Sequence, residues 1–339
     1  MKVVLYHKNC QDGLFSAYNL WKEFGGKDVL YIPVNYKPIQ DLQPLEALEY
    51  IFKSYIDNPR SISGIKYSFK DDKVTLDDYK DMELYVVDYS FPVLHIKEYI
   101  SFFKSILVLD HHETAINSYL KEFEHYKVCE NGWKVIEPTT TCKFIFSEKE
   151  SGAKLTYMYF NEGKEVPNFI ELVSDRDLWN FNLKYTRAFK YGCEMFQMDT
   201  FSIIDNLMKS SLHNIIYVGE KYEVLYDNRL EKIYESNLSN ISVFIEGTEY
   251  KCALINAFPD LASDLCDYAI STEEYDLALS YNIDTRLSVN CSLRSREGLD
   301  SSKLALMFGG GGHKRASGFS LTMQQFNKIL DNKGIVVAL

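Results

Sequence analysis

The stretch Ile106-Leu107-Val108-Leu109-Asp110-His111-His112-Glu113 decides how this chain is read. Four apolar residues run straight into an acid and two adjacent imidazoles, so a buried segment ends where polar chemistry begins. Periodicity does not separate a short buried strand from a piece of buried helix, and the neighbouring segments arbitrate. Val3–Tyr6, Val29–Val34 and Leu84–Val87 are similar short runs. Between them lie longer stretches of helical spacing, such as Leu14, Ala17, Tyr18, Trp21 and Phe24, which stop at Gly25-Gly26. Short apolar strands alternating with amphipathic helices predict an α/β fold, with a mostly parallel sheet flanked by helices.

Three of these strands end on a group that can hold a metal. Val3–Tyr6 leads into His7, Leu84–Val87 into Asp88, and Ile106–Leu109 into Asp110-His111-His112. In an open parallel sheet the carboxyl ends of the strands form the ligand crevice, so groups leaving those ends converge although far apart in sequence. A lone Asp after a strand, such as Asp88, is more often a helix cap or turn residue. An acid followed by two imidazoles has little structural purpose there, and the set points to a divalent cation. Mixed oxygen and nitrogen donors suit manganese or another first-row metal better than calcium.

Composition limits the rest. At 339 residues, with 46% hydrophobic and 25% charged residues, the chain reads as an ordinary globular protein of two domains. No apolar run approaches the ~20 residues needed to span a bilayer, and the N-terminus lacks a signal-peptide core, so a cytoplasmic protein without a membrane partner is expected. The seven cysteines show no C-x-x-C spacing and read mostly as small buried hydrophobes. A net charge of −11 disfavours long duplex nucleic acid, whose binding needs many Lys and Arg on phosphates. His95, His125 and His213 read as surface residues, Ser151 as a helix cap, and the polar stretch from Asn58 to Lys80 as a surface insertion or hairpin.

Farther along, Tyr222, Leu225, Tyr226, Arg229 and Ile233 trace one face of a long helix. Short strands return at Cys252–Asn256, Leu277–Asn282 and Arg286–Leu293, then a short helix, a glycine run and a last helix near Gln324–Leu330. The predicted division is a metal-binding domain over 1–194, a helical linker over 195–245 and a smaller α/β domain over 246–339, with the active site in the cleft between domains. In the last domain Ser292-Leu293-Arg294-Ser295 is followed by Phe308-Gly309-Gly310-Gly311-Gly312-His313-Lys314-Arg315. Consecutive glycines are costly in ordered structure and make sense where backbone N–H groups approach an anion, with Arg294, His313 and Arg315 as charged donors. From Arg286 to Gly318 six Lys or Arg stand against two acids, a local excess of positive charge in an acidic chain.

The ordered set of motifs resembles the DHH phosphoesterase superfamily. Asp110-His111-His112 matches its name-giving triplet, His7 to Gly13 its first motif, Val87-Asp88 its second and Ser174-Asp175-Arg176-Asp177 its fourth. The glycine-rich stretch resembles the DHH-associated C-terminal domain. The resemblance implies that His7, Asp12, Asp88, Asp110, His111 and either Asp175 or Asp177 surround one or two metal ions, with manganese expected and magnesium as the alternative. It places His112 near the attacking water or the phosphate. Arg294, Ser295, Gly310, Gly311, Gly312, His313 and Arg315 would hold the substrate. The usual first motif supplies two aspartates beyond its first ligand, whereas here Asp12 is the only acid before Leu14. That leaves the number of metals open, with Asn9 as an alternative oxygen donor.

The resemblance further implies a phosphodiesterase that cuts short oligonucleotides or dinucleotides to 5′-mononucleotides, close to the nanoRNase and oligoribonuclease branch and less like RecJ exonucleases. Two other enzyme readings stay open, a phosphatase for 3′-phosphoadenosine 5′-phosphate and a cyclic-dinucleotide phosphodiesterase. A non-catalytic nucleotide-binding module is the reading from another class. The expected partner is a short nucleotide, and a homodimer is compatible with the sequence.

Overall fold

The computed structural model describes residues 1–25, 28–57, 76–198, 200–210, 212–245 and 247–337. The contacts divide the chain into two compact units, Met1–Glu223 and Val224–Leu339.

In the first unit the strands are β1 (Lys2–His7), β2 (Val29–Val34), β3 (Glu83–Val87), β4 (Ser105–Asp110), β5 (Lys127–Val128), β6 (Lys134–Thr139) and β7 (Cys142–Phe146). Its helices are α1 (Gln11–Phe24), α2 (Tyr36–Ile39), α3 (Pro44–Asp57), α4 (Leu76–Lys80), α5 (Val93–Phe102), α6 (Glu113–Glu122), α7 (Gly152–Phe160), α8 (Asn168–Asp177), α9 (Thr186–Met195) and α10 (Phe201–Ser210). A long helix, α11 (Leu212–Asn237), leads into the second unit. Among the described residues the sheet order is β2-β1-β3-β4-β7-β6-β5, in which the first five strands are mutually parallel and the β7–β6 and β6–β5 pairs are antiparallel.

The strand signals are strong because the central strands are covered on both sides, and such strands read as continuous apolar runs. In β1, Val3 and Leu5 face the cluster that holds Leu48, Phe52 and Tyr99, while Val4 and Tyr6 face the opposite cluster with Phe15, Leu155 and Phe189. Helix α1 leaves β1 through a tight turn in which Asn9 has φ 57° and the Gly13 Cα lies so close that a Cβ would meet the His7 carbonyl oxygen at 2.3 Å. Only glycine fits there, which brings Asp12 directly beside the end of β1.

The second unit contains β8 (Leu238–Ile245), β9 (Thr248–Asn256), α12 (Pro259–Ser271), β10 (Leu277–Ile283), β11 (Ser288–Ser295), α13 (Ser301–Met307), β12 (Gly311–His313), β13 (Ala316–Thr322), α14 (Met323–Asp331) and β14 (Gly334–Val337). Its sheet order is β12-β13-β11-β10-β9-β8-β14, with β9–β10 and β8–β14 parallel and the other pairs antiparallel.

Several expectations need correction. The segment 195–245 does not stand apart as a helical linker: Phe201 and Ile204 of α10 are buried in the first unit's core, and β8 pairs along its length with β9. On α11 the first turns bury Ile215 and Ile216 and the later turns bury Tyr226, Leu230 and Tyr234, whereas Leu225 is 69% exposed. His95 is no surface residue, since it is buried with its Nε2 2.9 Å from the Leu42 carbonyl oxygen. Of the polar stretch from Asn58 to Lys80, residues 58–75 lie outside the described residues, and Leu76–Lys80 forms α4. Among the described residues no helix is long and apolar enough to cross a membrane.

Candidate metal centre

The carboxyl ends of β1, β3 and β4 lie side by side in parallel register, Leu5 beside Val86 and Val86 beside Val108. Their terminal residues therefore meet. His111 Nε2 is 3.0 Å from Asp88 Oδ1, 3.4 Å from Asp177 Oδ2 and 3.6 Å from Asp12 Oδ2. Asp88 Oδ2 faces His7 Nδ1 at 3.6 Å. Asp12, Asp88 and His111 are all buried.

Asp110 plays a different part from its neighbours. Its Oδ1 accepts the His111 backbone N–H at 2.8 Å and stands 2.7 Å from His112 Nδ1, while its Oδ2 accepts the Ser90 hydroxyl at 2.6 Å. Both oxygens are engaged, so Asp110 anchors the His112 ring and the turn after β4. Burial opposes charge on His112, but Asp110 outweighs it and raises the imidazole pKa.

Asp175 and Asp177 separate cleanly. Asp175 accepts the backbone N–H groups of Asn182 at 2.9 Å and Leu183 at 3.0 Å, and the Thr186 hydroxyl. It folds the turn between α8 and α9 and does not join the cluster, whereas Asp177 does. Of the two acids expected as alternatives, the structure brings Asp177 and not Asp175 beside His111.

The residues fit a divalent cation. His7 Nδ1, Asp12 Oδ2 and Asp88 Oδ2 are buried atoms without a hydrogen-bond partner, an arrangement that is costly unless something else binds them. Several carboxylates cannot all ionise in a dry pocket. Burial, then Asp177 and Asp88, push the Asp12 carboxyl well above its usual range, and Asp177 is raised by burial and Asp88. Asp88 is also opposed by burial, yet His111 and His7 hold it well below the usual range. His111 is raised by Asp177, Asp88 and Asp12 in spite of burial. A doubly charged cation would remove this frustration.

Residues outside the sequence-derived set complete the surroundings. Gly152, at the start of α7, lies so close that a Cβ would stand 2.6 Å from Asp88 Cβ and 2.8 Å from Asp12 Oδ2. The next residue donates its N–H to Asp12 Oδ1 at 3.0 Å, so a helix N-terminus faces the acids. Ser151 caps that helix, as its position before an apolar stretch predicts. Tyr36 stacks edge-on with His7 at 5.5 Å and lies 6.0 Å from His112. Ser90 and Tyr36 carry no sequence signal. Cys10 does, because it sits inside the first motif.

In the second unit, His313 on β12 is opposite Ala316 on β13, and Ala316 is opposite Arg294 on β11. Directly opposed residues share a face, so the two donors flank a small residue in one cross-strand row. Arg294 also donates to the Ser263 hydroxyl at 2.7 Å. Arg315 is exposed on the turn between β12 and β13. Ser295 belongs to the other face: it is buried and its hydroxyl donates to the carbonyls of Leu299 and Lys314, a structural role in place of the expected substrate contact. Gly310 and Gly312 are required by close packing, since a Cβ would meet the Gly318 and Ala316 carbonyl oxygens at 2.0 and 2.6 Å. Gly311 pairs with Gly318 in the same hairpin.

A parallel sheet thus gathers carboxylates and imidazoles at its carboxyl edge, and a smaller α/β unit carries an Arg–His row. Residues 249–333 match the DHHA1 domain. The chain is 25% identical over 335 residues to the uncharacterized protein R106 of Acanthamoeba polyphaga mimivirus, covering 94% of this chain and 67% of that one. Its fold is shared with RecJ in complex with Mn2+ from Thermus thermophilus, with a TM-score of 0.51 and 11% identity over all of this chain and 54% of RecJ. An exopolyphosphatase-related protein from Bacteroides fragilis is also similar, with a TM-score of 0.49 and 14% identity over 98% of this chain and 90% of that one.

Proposed function

We propose that this chain is a divalent-metal phosphodiesterase that hydrolyses dinucleotides or very short oligonucleotides to 5′-mononucleotides, with manganese as its working ion. The observation that carries the reading is the grouping of Asp12, Asp88 and Asp177 around His111, with buried oxygens that have no hydrogen-bond partner. A cation held by these residues would supply a water of lowered pKa and offset charge on the phosphoryl oxygens. His112, held by Asp110 and kept basic by it, would carry a proton to the leaving oxygen. Arg294 and His313 are the groups suited to a terminal phosphate. The acidic balance of the chain favours a short substrate over a long strand.

The test is a panel of labelled dinucleotide, trinucleotide, cyclic dinucleotide and 3′-phosphoadenosine 5′-phosphate, each with Mn2+ and with chelator. The expected result is metal-dependent release of 5′-mononucleotide, fastest from the dinucleotide and abolished by Asp110→Ala. Equal background signal from wild type and Asp110→Ala on every substrate would remove the enzyme reading and leave a nucleotide-binding module. Faster turnover of the cyclic dinucleotide or of 3′-phosphoadenosine 5′-phosphate would reassign the substrate.

A further inference from the structure

The first motif carries one acid where two would be expected, and the structure shows what stands nearby. The ligand atoms of His7, Cys10 and Asp88 lie within 4.8 Å of one another, a donor group distinct from the Asp12, His111 and Asp177 group. Cys10 is a free thiol at the N-cap position of α1, and its side chain makes no capping hydrogen bond. Asp88 is 1% exposed, and its Oδ2, the oxygen on the His7 side, has no hydrogen-bond partner. His7 Nδ1 is a second buried atom in the same condition. These two atoms face each other at 3.6 Å without a hydrogen bond, and a ligand atom of each residue lies within 4.8 Å of Cys10 Sγ.

We propose that Cys10 Sγ is a metal ligand, and that His7, Cys10 and Asp88 form a second cation site beside the one made by Asp12, His111 and Asp177. Asp88 serves both, with Oδ1 toward His111 and Oδ2 toward His7. The thiolate takes the place of the missing carboxylate and makes the two sites unequal in chemistry. An all-oxygen and imidazole set accepts manganese or magnesium, while a sulfur donor favours softer ions such as zinc, ferrous iron or cobalt. Metal binding releases the thiol proton, as it must for a sulfur ligand. The centre is then selective by position, one hard site and one softened by sulfur.

This inference rests on the metal-centre reading above, and the experiment separates the two. Reduced full-length protein is titrated with Co2+ and followed by absorbance, for wild type, Cys10→Ser and Cys10→Asp, with circular dichroism confirming the fold of each. The expected result is a visible cobalt ligand-field band in all three and a near-ultraviolet thiolate-to-cobalt charge-transfer band in wild type alone. Zn2+ affinity should fall roughly tenfold in Cys10→Ser, equivalent to ~1.4 kcal/mol, while Cys10→Asp should keep Mn2+ binding. Ligand-field bands without charge transfer in wild type, or charge transfer that survives in Cys10→Ser, would overturn the role of Cys10 and leave the metal centre standing. Absence of any cobalt band would overturn both.

Discussion

Asp175 and Asp177 lie two residues apart at the end of α8 and face different tasks: Asp175 accepts backbone N–H groups from Asn182 and Leu183, while Asp177 Oδ2 lies 3.4 Å from His111 Nε2. Two residues on a helix are about 200° apart around its axis, so one acid folds the chain and the other reaches the cluster. Asp177→Asn should abolish high-affinity metal binding and leave the metal-free melting temperature unchanged or higher. Asp175→Asn should cost about 1–3 kcal/mol of stability, because an amide cannot accept on both arms. Calorimetric metal titration and thermal unfolding of the two variants distinguish these outcomes. The reverse pattern would exchange their roles.

Gly152 offers a test of how tightly the acids are held. Gly152→Ala places a methyl group against Asp88 and Asp12 at contact distances that nothing real occupies. The expected outcome is a loss of about 1–3 kcal/mol in stability, together with weaker metal binding as the carboxylates move apart. Unchanged metal affinity would show that the start of α7 does not set their spacing.

Metal should act as a folding ligand. At a free concentration of about 100 times Kd it adds about 2.7 kcal/mol to stability. Thermal unfolding with Mn2+ and then with excess chelator should show a reversible rise and fall. An Asp12→Asn variant should show neither.

A charge cluster far from the centre predicts a pH effect with a definite sign. Lys22, Lys209 and Tyr18 converge on Asp205 at 2.7, 2.6 and 2.8 Å. Burial pushes that carboxyl up, yet the bonds from Lys209, Lys22 and Tyr18 outweigh it and hold it at about 2. A depressed carboxylate contributes stability that is present above its unfolded value, about 3.9, and is lost as pH falls through the folded value. Asp205→Asn should therefore destabilise by about 1 kcal/mol at neutral pH, the lysine arms being screened by solvent. The difference from wild type should shrink as pH falls from about 3.9 through about 2 and vanish only below that, where both side chains are neutral. A constant difference at all pH values would assign the loss to packing.

Much of this architecture is legible in the residues themselves, and the reasons are physical. Strands β1, β3 and β4 announce themselves because both faces are buried, and their ends carry the donors. Strand β8 hides, since Leu238-Ser239-Asn240-Ile241-Ser242-Val243 alternates weakly and follows a long helix without a break. Only Ile241 and Val243 of that stretch are buried. Asp175 and Asp177 are indistinguishable by spacing, because the answer depends on where the α8–α9 turn puts its N–H groups. Ser295 sits next to Arg294 in sequence but on the opposite face of β11. The glycine run reads as an anion loop, whereas Gly310 and Gly312 are equally demanded by the backbone of the adjoining strand.

The donor set has a temporal consequence. His7, Asp12, Asp88 and His111 all precede residue 113, but Asp177 arrives only at the end of α8. A nascent chain must therefore emerge through Asp177 before the cluster can close. Any product cut between Glu113 and Arg176 carries the triplet and the strand-end acids yet lacks the last carboxylate. The Asp12, His111 and Asp177 group is therefore completed late in synthesis, after the strand-end donors of β1, β3 and β4 have been made.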